Sequence, residues 1–227
     1  PRSEVLTRVQ DAAIRGLSSL VVQTLSNPDY ISPIPALTEN QDEILGRFMD
    51  NMTDLFAELA GKPRPAKEAV NFETLSLVQE DELEVMVAVE GMVAAARNQH
   101  LPHFISFNTR LNALLEDKRV DESSNPLDPQ QIATAFVEAV KPIGLDGTSA
   151  IVVYRAFSGG VLRELESVLH AANQILIDHG VIPDLGLDGG KPVAHASARA
   201  GRRDDSERTG FGSVDREPAA SAQQREP

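Results

Sequence analysis

Cysteine and tryptophan are both absent from these 227 residues, and aromatic side chains make up only 4% of them. Without cysteine there is no disulfide framework, no thiolate nucleophile and no zinc finger. With so few rings, the core must be assembled from Leu, Val, Ile, Ala, Met and a few Phe, a palette that packs helices more readily than β-sandwiches. No run of about 18 apolar residues occurs, so no segment is expected to span a membrane as a helix. Positive charge is also scarce: 21 Lys and Arg stand against 34 Asp and Glu, for a net charge of −13. That is the wrong sign for a phosphate backbone, so nucleic acid is not expected as the main partner. An acidic surface points instead to solubility or to a basic protein partner. The 14 basic and 26 acidic residues before Pro183 alone leave −12, so the imbalance belongs to the part expected to fold.

Chemical motifs are missing as well. There is no GxSxG elbow, no GxGxxG and no Walker lysine, and Gly144-Leu145-Asp146-Gly147 and Ser158-Gly159-Gly160 match no phosphate loop. Among five histidines, His100 and His103 are separated by a turn-forming Pro102, and His170 and His179 lack metal-ligand spacing. The acidic run Glu80, Asp81, Glu82 and Glu84 fits the positive end of a helix dipole better than a metal site, because consecutive helical residues point in different directions. No catalytic residue, metal ligand or cofactor is therefore assigned.

What is present is helical periodicity. Ser3 can cap a first helix that carries Leu6, Val9, Ala13, Leu17, Leu20 and Val21 on one arc and ends near Leu25. Asn27 to Pro35 reads as extended, because prolines push the preceding residues out of the α region. Thr38 and Gln41 read as a capping box ahead of Ile44, Phe48, Met52, Leu55, Phe56 and Leu59. Gly61 ends that stripe, and residues 61–72 form a polar connector.

In the stretch Leu75 to Arg97 an acidic opening then leads into a helix, about Gln79 to Gln99, apolar on nearly every side and expected in the middle of a bundle. Leu101-Pro102 breaks it, and a shorter helix carries Phe104, Phe107, Leu111 and Leu114. Asp128-Pro129-Gln130-Gln131 is a start signal for the next helix, which stops at Lys141-Pro142. The last helix begins near Asp146, is interrupted by Gly159-Gly160 where a bend or close crossing is expected, and stops at His179-Gly180. These patterns predict an all-α multi-helix bundle over 1–182. Beyond Pro183 no apolar period survives, and 183–227 reads as a disordered tail.

Two features are candidate sites. Glu90 lies at the centre of an arc formed by Leu83, Met86, Val87, Val93 and Ala94, and is read as a buried carboxylate. Its expected role is structural, capping a neighbouring helix end or paired with an arginine: Arg97 first, or Arg110, Arg155 or Arg163 from other helices. The competing reading is an acid/base group with a raised pKa. The second feature is the 3–4 repeat of Leu162, Leu165, Leu169, Ala172 and Leu176, a candidate seam for self-association that could equally be satisfied inside the bundle.

Three segments, LSLVQEDELEVMVAVEGMV (Leu75 to Val93), NPLDPQQIATAF (Asn125 to Phe136) and VLRELESVLHAANQILIDHGVIPDL (Val161 to Leu185), occur in this order. Together they resemble the bacterial family known as domain of unknown function 1631, some members of which carry a thymidine-phosphorylase label. The resemblance implies a piece of a longer proteobacterial cytoplasmic protein, in keeping with a chain that starts at Pro1 without an initiator Met. It carries over no catalytic residue, and the chain lacks a glycine-rich stretch of the DKHSTGGVGD kind. The function expected is a non-catalytic helical interaction or regulatory module with protein partners, a homodimer being one form of this. The alternatives are an enzyme with an acid/base site around Glu90, or a regulator linked to nucleotide second messengers or RNA.

Overall fold

Helix starts and stops are set by local chemistry, and two carry side-chain caps. Asp128, in an extended conformation, accepts from the Gln130 backbone N–H at 2.9 Å, with Pro129 at the first helical position. Asp146 does the same for the Ser149 N–H at 2.9 Å. Each satisfies a donor that the first helical turn would otherwise leave orphaned. In the computed structural model, which describes residues 2–31, 34–62, 80–116 and 118–185, these caps help to set an all-α architecture.

The helices are α1 (Arg2–Leu25), α2 (Pro28–Ile31), α3 (Pro35–Glu39), α4 (Gln41–Leu59), α5 (Glu80–Gln99), α6 (Leu101–Leu114), α7 (Pro129–Val140), α8 (Gly147–Phe157) and α9 (Leu165–Asp178). A 3-10 turn, Lys141–Ile143, follows α7, and a π-helical turn, Ser158–Leu162, joins α8 to α9. No strand occurs among the described residues. The disordered tail expected from residue 183 falls outside the described residues from 186 onward, as does most of the connector.

Two expectations about the approach to α4 are corrected. Asn27 to Pro35 is not simply extended: Pro28 and Pro35 each open a short helix, because a proline at the first helical position supplies a helical φ and loses no hydrogen bond. Thr38 is not a cap either, since it lies inside α3. Asn40 precedes α4 without a side-chain cap, while Gln41 donates from Nε2 to the Leu25 carbonyl at 2.5 Å and ties α4 to the end of α1.

The core is where α1, α4, α7, α8 and α9 meet. Helix α1 packs on α9 and α4, α4 on α7, α5 on α7 and α8, and α6 on α9. Phe136 and Phe157 stack at 4.0 Å between ring centres, and Phe48 meets both edge-on at 6.2 and 6.3 Å, pinning α4, α7 and α8 together. The close crossing expected at the glycine pair is present. A Cβ on Gly160 would lie 2.0 Å from Thr24 Oγ1, so only glycine lets the π-turn sit against α1.

The proposed self-association seam proves to be core. Leu162, Leu165, Leu169, Ala172 and Leu176 are all at most 1% exposed, and Val168 on the adjoining side is 3% exposed. Helix α9 is gripped by α1 and α6, so both its apolar stripes are satisfied within the chain. The spacing marks a helix–helix seam, and the helices that fill it are the chain's own.

Candidate functional site

Helix α5 departs most from expectation, and it builds the candidate site. Its packed arc is Val85, Val89, Met92, Val93 and Ala96, of which Val93 and Ala96 are buried and the rest partly so. On the opposite side Leu83 is 55% exposed, Met86 39% and Val87 60%. Glu90, Gly91, Ala94 and Ala95 are exposed beside them. The helix therefore lies on the surface, not in the middle of the bundle, and Glu90 is not a buried carboxylate. A helix apolar on every side offers two faces of equal claim, and periodicity does not say which one the fold takes up.

The buried carboxylate paired with Arg97 is Asp128. Arg97 Nη2 donates to Asp128 Oδ1 at 2.7 Å and Nε to Oδ2 at 3.3 Å, a two-point grip, while Nη1 lies 3.3 Å from Glu122. The hydrogen bond to Asp128 holds the Arg97 guanidinium above its ordinary pKa despite partial burial. The same carboxylate caps α7, so one buried group fixes α5 against the start of α7. The sequence marks Asp128 as a cap and Arg97 as a candidate partner of Glu90, and no spacing rule links the two.

Two further polar groups went unassigned as sites. Arg110 on α6 is fully buried and donates from Nη1 to Asn173 Oδ1 at 2.8 Å and to Ser106 Oγ, and from Nη2 to the Leu185 carbonyl. Its Nε has no partner, no carboxylate among the described residues reaches it, and burial lowers its pKa. His100, also buried, bonds from Nε2 to the Leu162 carbonyl at 3.0 Å. A carbonyl only accepts, so Nε2 carries the proton there. Next to it, Gln99 Nε2 donates to the Arg163 carbonyl at 3.1 Å. The end of α5 thus satisfies the carbonyls left over where the π-turn interrupts the α8–α9 ladder, whose i to i+5 bond is Arg163 N–H to Ser158 O at 2.9 Å.

That junction leaves a groove of about 240 Å³ along α5. Met92, Ala96 and Leu162 form its floor, Ala95 and Gln99 one wall, and Arg155, Ser158, Gly159 and Arg163 the other. Arg155 and Arg163 are exposed, and no carboxylate among the described residues pairs with either. A Cβ on Gly159 would touch nothing within 4 Å, so here the glycine keeps the groove open without serving the packing. Val152, 37% exposed and one turn before Arg155, extends the apolar surface along α8. A second hollow, about 400 Å³ between α1 and α9, is lined by Arg8, Asp11, Arg15, Ile175, Asp178 and His179, whose charges are mixed.

The residues brought together are an apolar helix face and, beside it, a groove walled by two arginines. Three or more His, Asp or Glu side chains do not converge to hold a metal among the described residues. Glu90 has no histidine or arginine within bonding distance there. No described helix is long and apolar enough to cross a membrane. No match was found among curated proteins or among solved structures. The family model described as protein of unknown function (DUF1631), N-terminal domain, matches residues 3–180, and the chain belongs to that family.

Proposed function

We propose that this chain is a non-catalytic interaction or regulatory module of a longer bacterial cytoplasmic protein, and that the outer face of α5 is its docking surface. One observation carries the reading: Leu83 and, one turn on, Met86 and Val87 are large apolar side chains that face solvent while the opposite arc of the same helix is packed. Exposed apolar side chains scattered singly need no explanation, but a contiguous apolar face with a polar rim is the mark of an interface. Glu84 stands at the edge of this face and Glu90 within it, and Arg155 and Arg163 stand at the adjoining groove. A groove of about 240 Å³ is smaller than the roughly 300–1,000 Å³ of small-molecule sites, which favours side chains of a protein partner over a nucleotide. The absence of cysteine suits a reducing compartment.

The test is partner capture from lysate with three proteins: the native chain, Val87→Glu, and Val22→Glu as a control on the exposed face of α1. The reading predicts that Val87→Glu loses the partners that the native chain and Val22→Glu keep. Identical partner sets for all three proteins would remove α5 as the docking surface.

A further inference from the structure

Arg155 and Arg163 line the same wall of the groove beside α5, although they stand on either side of the π-helical turn Ser158–Leu162. In an unbroken α-helix, positions with this separation would lie about 80° apart around the axis. The π-turn takes up one residue more than an α-turn, its Arg163 N–H reaching the Ser158 carbonyl at 2.9 Å. That extra residue returns the pair to the spacing of two ordinary turns, about 20° apart around the axis and about 10 Å along it. The turn is pinned from the end of α5, by Gln99 Nε2 on the Arg163 carbonyl at 3.1 Å and His100 Nε2 on the Leu162 carbonyl at 3.0 Å. Of its two glycines, Gly160 is required by the close approach to Thr24, whereas a Cβ on Gly159 would meet nothing within 4 Å. The local geometry therefore sets two arginines on one wall and leaves the space between them open.

Neither guanidinium forms an ion pair with a described residue, and the Ser158 hydroxyl on the same wall makes no hydrogen bond to one. The floor of Met92, Ala96 and Leu162 is apolar. Charged donors above an apolar floor select an anionic group carried on an apolar body, and guanidinium matches carboxylate in shape as well as in charge. We propose that this groove receives an acidic segment of a protein partner, whose carboxylates lie on Arg155 and Arg163 while neighbouring apolar side chains cover the floor. This rests on the reading of the α5 side as a protein-docking surface and names the chemistry of its partner. The spacing of about 10 Å is that of two helical turns, so Asp or Glu at positions seven apart on a partner helix fits both arginines. Free phosphate has no apolar body for the floor. The chain carries −13 overall, so an acidic segment is repelled by most of the surface and attracted here, which confines it to the groove. Contacts confined to one small groove place the dissociation constant in the micromolar range.

The experiment pans a phage-displayed library of random peptides on the full chain, then measures the selected peptides in solution by fluorescence anisotropy. Three variants accompany the native protein. Arg155→Gln with Arg163→Gln removes the charge, Gly159→Leu fills the groove and keeps both arginines, and Arg119→Gln is an exposed control outside it. Circular dichroism checks that each remains helical. The selected peptides are expected to be rich in Asp and Glu beside apolar residues. The double arginine variant and Gly159→Leu should each weaken their binding by about tenfold or more, and Arg119→Gln should leave it unchanged. A library that yields no binder, or binders that are not acidic, overturns the proposal. So does binding that survives either groove variant. Inorganic phosphate or ADP that binds in an arginine-dependent way, where no acidic peptide does, gives the groove to a small anion and also overturns it. If acidic peptides need both arginines while Val87→Glu keeps every captured partner, the groove stands and the outer face of α5 falls. If Val87→Glu loses its partners while the peptides ignore the arginines, the docking surface stands and the acidic occupant falls.

Discussion

Helices α5 and α9 are both apolar well beyond a single stripe, yet the fold treats them oppositely. Helix α9 is enclosed by α1 on one side and α6 on the other, so its leucines are almost wholly withdrawn from water. Helix α5 packs on α7, α8 and the π-turn along one arc and leaves Leu83, Met86 and Val87 outside. The difference comes from what surrounds each helix, not from its own sequence. Gly16 of α1, where a Cβ would lie 3.0 Å from Val168 Cγ2, and Gly160, against Thr24, let α1 close tightly over the α8–α9 arm. Among the described residues no element closes over the outer side of α5 in the same way.

The sharpest way to break the comparison is to place one charge on each helix. Leu169→Glu puts a carboxylate in a site with no exposure and should destabilise the fold by about 4 kcal/mol or more, enough to abolish cooperative unfolding in a marginal domain. Val87→Glu in dilute protein should change stability by less than about 0.5 kcal/mol, as at an ordinary surface position. Thermal denaturation followed by circular dichroism compares the two. Equal effects would mean that α5 is packed on both sides.

The glycines give the next largest contrast. Gly160→Ala forces Thr24 aside, together with the bond from its hydroxyl to the Leu20 carbonyl, and should cost about 1–3 kcal/mol through overpacking. Gly91→Ala meets nothing and should raise stability by up to about 1 kcal/mol through helix propensity. Urea midpoints at unchanged slope would measure both.

How much of this was legible follows from what sequence patterns encode. The all-α class, the starts of α7 and α8, the close crossing at Gly160 and the end of α9 are local, written in caps, prolines and glycines, and all are present. The choice between two equivalent apolar faces depends on which other helices arrive, and the pattern of one helix holds no information about that. For this reason the pattern alone puts Glu90 inside and leaves the α9 leucines open to a partner, and the structure does neither. The Arg97–Asp128 pair spans 31 residues and Arg110–Asn173 spans 63, distances that spacing rules do not reach. Three of the four members carry a visible hint: Asp128 is a cap signal, and Arg97 and Arg110 are each the one Arg or Lys of their helix.

The carboxylates repeat the comparison on a smaller scale. Asp128→Asn keeps a competent cap but loses the charged grip of Arg97, and should cost about 1–2 kcal/mol. Glu90→Gln should leave the stability of the dilute chain unchanged, since Glu90 is exposed. Chemical denaturation at neutral pH separates the two.

The smallest effect expected is at Asp121, whose carboxylate accepts from the Ser123 hydroxyl at 2.7 Å and the Ser124 hydroxyl at 2.9 Å, with backbone bonds adding to them. These bonds hold its pKa down to about 2, from an ordinary value of 3.8. A depressed carboxylate stabilises the fold above its unfolded pKa and loses that contribution as pH falls through the folded one. The loop at 121–124 should therefore loosen between about pH 4 and pH 2. Carboxyl-carbon NMR would show an Asp121 midpoint near 2, whereas a midpoint at 3.8 would remove the serine grip.

Because the chain has no cysteine, a single introduced thiol reports its own surroundings without background. Val87→Cys and Leu169→Cys, labelled with a thiol reagent under native conditions at concentrations too low for self-association, compare the two helices directly. The fold described predicts that Cys at 87 reacts at nearly the rate of an unstructured peptide, while Cys at 169 reacts only through unfolding and is slower by about a thousandfold or more. Equal protection at both positions would contradict it, because α5 would then be as enclosed as α9.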